Sequence, residues 1–263
     1  MKIDLHNHTI LCNHAEGTVD EYIQHAIEKK IDVFGFSDHA PMDFDPKYRM
    51  NFDQMSYYES LIKDAKKKYH DRIEILLAYE VDFLLSPNKN HVDKRVLDAS
   101  VDYLIGSVHF VDKWGFDNPE FIGKYDEQNI DEIWQKYFDA IEAMAKTNYF
   151  NIAGHLDLIK VFKFMPTKDI KNLAFNALKA IKYSNMSLEI NGAGHRKPIA
   201  EAYPSRELLE LAFELKIPIT FGNDAHSPEQ VGLFSSEIHS LAKEVGYTEC
   251  CYYKEKKQII CDF

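Results

Sequence analysis

Cysteine is scarce in this chain. Four of its 263 residues are cysteines, Cys12, Cys250, Cys251 and Cys261, too few for a disulfide-built scaffold. Ordinary packing in a reducing compartment is the expected use, with Cys12 placed between two histidines where a metal could sit. Long apolar runs are missing too. None approaches the roughly 18 residues that cross a bilayer, and the opening MKIDLHNH lacks the apolar stretch of a secretion signal. A cytoplasmic protein without a membrane partner is expected. Positive charge is in deficit: 31 Lys and Arg face 42 Asp and Glu, a net charge of -11. Such a surface repels phosphate backbones and argues against nucleic acid as a partner. No Ser/Gly linker, charge block or local repeat divides the chain, so residues 1–263 read as one domain. Hydrophobic residues at 45% and aromatics at 13% suffice for a packed core.

What is present alternates between strand and helix. Apolar runs at 2–5, 33–37, 73–81, 102–108, 151–154, 186–191 and 217–222 read as strands. Helical periodicity fills 18–30, 53–69, 89–99, 129–147, 167–183, a stretch opened by Pro204-Ser205, and 228–245. Thr18 and Glu21 are spaced as a capping box for the first helix. One or two edge strands are expected in the tail. Seven strand–helix units with near-continuous apolar strands indicate a parallel sheet covered on its outer side. An α/β barrel is the first reading and a doubly wound open sheet the second.

The potential metal ligands fall at the strand ends. His6 and His8 follow the first strand, with His14 in the loop beyond. His39 follows the second strand, and Glu80 lies near the end of the third. His109 and His155 end the fourth and fifth, and Asp224 and His226 follow the seventh. In a parallel barrel these nine converge on one mouth, where barrels keep their chemistry. In His6-Asn7-His8 the strand alternation sends both imidazoles to one side. His25, His70, His91 and His239 sit on helices or helix ends and read as surface residues, whereas His195 lies in the loop after the sixth strand. Imidazole mixed with carboxylate suits zinc, iron or manganese. Nine ligands exceed one zinc site and would serve two or three divalent ions, with Glu80 bridging a pair. Such a site activates water at neutral pH and clamps phosphoryl oxygens.

The chain resembles the PHP (polymerase and histidinol phosphatase) superfamily, and within it the histidinol-phosphate phosphatases. The resemblance rests on DLHNHT at 4–9, FSDHAP at 36–41, AYEVDF at 78–83 and GSVHFVDKWGFDNPEF at 106–121. It continues through GHLDLIKVF at 154–162, EINGAGHRKPIAEAYPS at 189–205 and GNDAHS at 222–227. It implies a distorted seven-stranded β/α barrel with a trinuclear metal site. His6, His8, Glu80 and Asp224 would hold the first ion. Glu80, His109 and His155 would hold the second, and His14, His39 and His226 the third. Arg196 matches a phosphate-binding arginine. Lys160 stands where relatives carry an arginine, and lysine keeps the charge without the bidentate fork. His195 replaces an apolar residue in the pocket wall.

The implied reaction is hydrolysis of L-histidinol phosphate to L-histidinol and phosphate, a step of histidine biosynthesis. Glu80, Asp224, Arg196 and Lys160 carry the catalytic expectation. Asp43 or Asp112 is expected at the substrate amine, and Trp114, Phe116 or Phe110 at its ring. The alternatives are a PHP phosphoesterase acting on a nucleotide or phosphotyrosine peptide, and a non-catalytic metal-binding regulator.

Overall fold

The computed structural model describes residues 1–85 and 92–263. In chain order the strands are β1 (Ile3–Asp4), β2 (Val33–His39), β3 (Glu74–Asp82), β4 (Tyr103–Ser107), β5 (Phe110–Val111), β6 (Trp114–Gly115), β7 (Ile152–Ala153), β8 (Ser187–Asn191), β9 (Ile219–Gly222), β10 (Glu249–Lys254) and β11 (Lys257–Asp262). Seven of them form one parallel sheet in the order β1-β2-β3-β4-β7-β8-β9. The ends of the sheet meet. Leu5 N donates to Phe221 O at 2.9 Å and His8 N to Ala225 O at 3.0 Å, so the sheet closes into a nearly complete barrel and the barrel reading holds over the open sheet.

The helices are α1 (Val19–Glu28), α2 (Met55–Tyr69), α3 (Lys94–Leu97), α4 (Ile130–Lys146), α5 (Ile170–Tyr183), α6 (Arg206–Glu214) and α7 (Ser235–Val245). Thr18 and Glu21 form the expected capping box, and α1 buries Tyr22, Ile23 and Ala26. Asn129 caps α4, which buries Ile133, Trp134, Tyr137, Phe138 and Ile141 along one stripe. Each such side chain contributes about 1.5–3 kcal/mol when fully buried. The barrel interior is tight. A Cβ at Gly35 would lie 1.8 Å from the Tyr103 hydroxyl oxygen, so only glycine fits where Tyr103 crosses to bond Leu5 O at 2.5 Å.

Three expectations change. The helix read over 228–245 is a short 3-10 turn at Pro228–Gln230 followed by α7, because Gly232 takes a φ of +63° between them. Of the helix read over 89–99, only α3 appears, and residues 86–91, including His91, lie outside the described residues. The loop after β4 carries the β5–β6 hairpin and a 3-10 segment at Pro119–Glu127.

The tail forms an antiparallel hairpin, β10–β11. Tyr253 Oη donates to Asn151 O at 2.9 Å and Lys256 N to Asp102 O at 2.7 Å. The hairpin therefore covers the end where β4 and β7 begin and leaves the opposite mouth open. No described helix is long and apolar enough to cross a membrane, and all four cysteines are free thiols.

Candidate metal centre

The mouth is organised by two buried turns. Asn7, between His6 and His8, points away from them and donates to Asp4 Oδ1 at 3.1 Å and Gly35 O at 3.1 Å. Asn223 donates to the same carboxylate through its backbone at 3.0 Å and its side chain at 2.9 Å. Asp4 thus clamps both ligand-bearing segments. Asp224, the next residue, has a φ of +51°. Left-handed backbone at a non-glycine is costly and persists where the surroundings fix it.

Glu80 is 1% exposed and divides the cluster. Its Oε2 lies 3.2 Å from His6 Nε2, 3.6 Å from His8 Nε2 and 3.0 Å from His39 Nδ1. Its Oε1 lies 2.9 Å from His155 Nε2 and 3.7 Å from His109 Nε2. Asp224 Oδ1 is 3.0 Å from His8 Nε2 and 3.9 Å from His6 Nε2. The ligand atoms gather as His6-His8-Glu80, as Glu80-His109-His155, as His8-His39-His226 and as Cys12-His14-His226. The first two match the two inner sets expected from the sequence, Asp224 adjoining the first. The three outer histidines also lie together, with ring centroids 5.3 Å apart for His14–His39, 4.6 Å for His14–His226 and 6.1 Å for His39–His226, but their ligand atoms are spread over two groups. Among the described residues His14, His39 and His226 share no group of three. The exposed His14 meets His226 beside Cys12, and its Nδ1 is held by Cys12 O at 2.8 Å.

Two carboxylates missed in the sequence stand behind these rings. Asp82 Oδ1 is 2.6 Å from His109 Nδ1, and its Oδ2 accepts from Arg49 Nη1 at 2.8 Å. Asp38 Oδ1 is 3.4 Å from His8 Nδ1, and its other oxygen is bonded by the Thr9 hydroxyl. Holding Nδ1 fixes the tautomer and aims Nε2 at the centre. Asp38 was detectable as the neighbour of His39 and Asp82 as the next same-side residue after Glu80 on β3.

Metal ions fit this donor set. His226 Nε2 is buried without a hydrogen bond among the described residues, and His6 Nε2, His8 Nε2 and His39 Nδ1 crowd carboxylate oxygens without hydrogen-bond geometry, an arrangement that a cation between them would relieve. The charges agree. Burial pushes Glu80 up, yet His6, His39 and His109 outweigh it and hold it well below the usual carboxylate range. Burial opposes charge on His109, but Asp82 and Glu80 raise it to about 10. For His8 burial likewise loses to Asp224 and Asp38, which bring it to about 9. Burial dominates at His39, which falls to about 4. Without metal, His8 and His109 are therefore protonated at pH 7, and an ion must displace their protons. Titrating Mn²⁺ or Zn²⁺ into chelator-treated protein at pH 7 is expected to release protons. Calorimetry in two buffers of different ionisation enthalpy measures that release, and buffer-independent heats would contradict it.

A cavity of about 700 Å³ opens above the cluster, with Glu80, His109, His155, Asp224 and Arg196 in its lining. Arg196 Nη2 donates to Asn223 O at 2.8 Å and Asp224 O at 2.9 Å, while its Nη1 has no partner among the described residues. Of the other expected substrate contacts, Phe110 alone lines the cavity. Lys160 is 0% exposed, and its Nζ bonds Asp157 Oδ2 at 2.9 Å, Glu201 Oε1 at 2.7 Å and Ala202 O at 2.9 Å. It is committed to the buried Asp157 and the half-exposed Glu201 beside the cavity. His195 stacks on Phe234 with ring centroids 4.9 Å apart. Trp114 packs edge-on against Tyr125 at 4.6 Å, and Phe116 against Tyr137 at 5.3 Å. Both are core residues, because the β5–β6 hairpin turns them inward. Phe110 does line the cavity, with Phe121, Asp45, Asp117 and Glu120. Asp43 is exposed, and Asp112 pairs with Lys136 at the surface. His239, expected at the surface, packs on Phe221 at 4.1 Å.

The PHP domain family matches residues 4–193. A probable histidinol-phosphatase of Deinococcus radiodurans is 36% identical, covering 97% of this chain and 98% of its own. The histidinol-phosphatase of Bacillus subtilis is 29% identical over 88% of this chain and 96% of its own. The crystal structure of histidinol phosphate phosphatase from Lactococcus lactis, complexed with zinc, L-histidinol and phosphate, shares the fold. Its TM-score is 0.83 at 22% identity, covering 98% of each chain. This chain belongs to the PHP domain family and groups with its histidinol-phosphatases.

Proposed function

We propose that this chain hydrolyses L-histidinol phosphate to L-histidinol and phosphate, using two or three divalent transition metals, zinc, manganese or iron, held at the barrel mouth. The observation that carries the reading is the division of Glu80 between two histidine sets at the floor of a cavity lined by Arg196. Near-full-length likeness to proteins named for that substrate supports the choice of ester. His6, His8, Glu80 and Asp224 would hold one ion, and Glu80, His109 and His155 a second. His14, His39 and His226, the last two reaching His8 and Cys12, would serve an outer ion. Bound there, the metals supply Lewis acidity and an activated water. Hydrolysis breaks the ester P–O bond and adds water across it.

The protein's own part is to place the phosphate and hold the substrate. Arg196 presents Nη1 to the phosphate while Nη2 is anchored on the backbone of Asn223 and Asp224. A charge-assisted bond of this kind strengthens as charge moves onto the phosphoryl oxygens. The acids Asp45, Asp117 and Glu120 suit a substrate amine, and the faces of Phe110 and Phe121 suit an imidazole. The same proposal treats residues 1–263 as one working unit in the cytoplasm, where the free thiols stay reduced, without nucleic-acid or membrane partners.

Arg196→Ala is expected to lower kcat/KM roughly 100-fold through both constants, with the metals still bound. Steady-state kinetics beside elemental analysis checks this, and wild-type kinetics would remove Arg196 from the site. The test of the function itself is metal removal. Chelated protein should lose turnover of histidinol phosphate and regain it with Mn²⁺ or Zn²⁺, with two or three ions bound per chain. A metal-loaded protein that hydrolyses neither histidinol phosphate nor a chromogenic phosphomonoester would favour the non-catalytic regulator.

A further inference from the structure

One buried carboxylate remains outside the ligand sets. Glu189 is 1% exposed and lies in β8, which pairs with β7 on one side and β9 on the other. Its Oε1 is 2.7 Å from His6 Nδ1, and its Oε2 accepts from the backbone N–H of His155 at 2.8 Å. His6 belongs to the group His6-His8-Glu80 and His155 to the group Glu80-His109-His155. No other side chain among the described residues is bonded to both inner sets from behind. Asp38 meets His8 Nδ1 and the His39 N–H, and Asp82 meets His109, so neither reaches both inner sets. We infer that Glu189 is a positioning residue that fixes the two inner metal positions relative to one another, holding His6 and His155 in register around the shared carboxylate of Glu80.

The packing around Glu189 is built for that contact. A Cβ at Gly222 would come 2.1 Å from Glu189 Oε1 and 2.6 Å from His6 Cβ, so β9 carries glycine where the pair passes. With Oε1 held against Nδ1, the His6 ring is oriented so that Nε2 lies 3.2 Å from Glu80 Oε2. The fixed backbone of His155 sets where its ring enters, and its Nε2 reaches Glu80 Oε1 at 2.9 Å. A carboxylate is required here. Glutamine offers one acceptor and one amide donor, and the donor would face an N–H whichever way the amide is flipped. One of the two links is then lost even though the side-chain volume is unchanged.

The inference rests on the metal reading in the proposed function and not on the identity of the substrate. Its test is metal affinity by chelator competition, using Zn²⁺ or Mn²⁺ alone, on wild type, Glu189→Gln, Glu189→Asp and Tyr253→Phe. The last removes a buried hydroxyl at the far end of the barrel and reports what a plain loss of stability does. Glu189→Gln should weaken binding of the two tightest ions roughly 10- to 100-fold, and saturating metal should restore most of the lost kcat. Glu189→Asp keeps the charge but is one methylene short of both donors, so an intermediate weakening is expected. Cobalt-substituted Glu189→Gln should also show an altered visible spectrum. Tyr253→Phe should change melting temperature without changing metal affinity. Wild-type affinities in folded Glu189→Gln would overturn the inference, and if that variant does not fold, wild-type affinities in Glu189→Asp would do so. A wild-type chain that binds at most one ion would instead overturn the metal reading on which the inference stands.

Discussion

Glu80→Gln is expected to lower kcat by on the order of 10³-fold or more even at saturating Mn²⁺ or Zn²⁺. Removing a single preorganised electrostatic contact from an active site already costs about 10²–10³, and Glu80 makes two sets of such contacts. Its Oε2 faces His6, His8 and His39, and its Oε1 faces His109 and His155. An amide carries no negative charge and offers only one acceptor oxygen, so one histidine set loses its shared partner. The contrast is His14→Ala. His14 is an exposed residue at the rim of the cluster, and excess metal should recover much of that loss. The comparison needs single-turnover and steady-state rates at saturating metal, with circular dichroism to establish folding. A folded Glu80→Gln variant with near-normal kcat would rule out a shared carboxylate as the organising feature of the site.

Lys160→Met carries the largest expected effect on stability. The ammonium is fully buried against Asp157, which is also fully buried, and against the half-exposed Glu201. Burial pushes the Asp157 carboxyl upward, and Lys160 is the main influence holding it down. Removing one partner of a buried pair strands the other charge and costs about 3–5 kcal/mol. Glu201 can turn to water, whereas among the described residues Asp157 keeps only the Ser205 N–H at 2.8 Å. For a chain of this length that is roughly 6–20 °C in Tm. Chemical and thermal denaturation with metal saturating would measure it. A change below about 1 kcal/mol, typical of a solvated pair, would contradict a structural role for this lysine.

These two residues also mark how far the sequence could be read. Glu80 was legible because strand ends in a parallel barrel share one mouth, and the same reasoning placed His6, His8, His109, His155 and Asp224 around one centre. The capping box at Thr18 and Glu21 was legible because it is local. The ion pairs of Lys160 were not legible, because its partner Glu201 is distant in sequence and nothing in DLIKVF announces it. Trp114 and Phe116 were misread because a two-residue hairpin decides which side each aromatic faces, and no pattern that short fixes register. His239 looked like a surface residue on a helix until Phe221 and Phe263 enclosed it. Glu189 left a signal that went unused: the one charged residue of the strand MSLEIN must find partners once buried. The outer histidines were the least legible, since His14 hangs from a loop whose path no periodicity specifies.

The central claim is that a metal cluster at this barrel mouth is shaped for histidinol phosphate. Steady-state kinetics of the metal-loaded protein on histidinol phosphate, beside nucleoside monophosphates, phosphotyrosine peptides and a chromogenic phosphomonoester, tests it most directly. The expected result is a kcat/KM for histidinol phosphate at least about 100-fold above every other ester, the discrimination expected when a site pairs with the amine and ring as well as the phosphate. Equal or faster turnover of any other ester in the panel would contradict it.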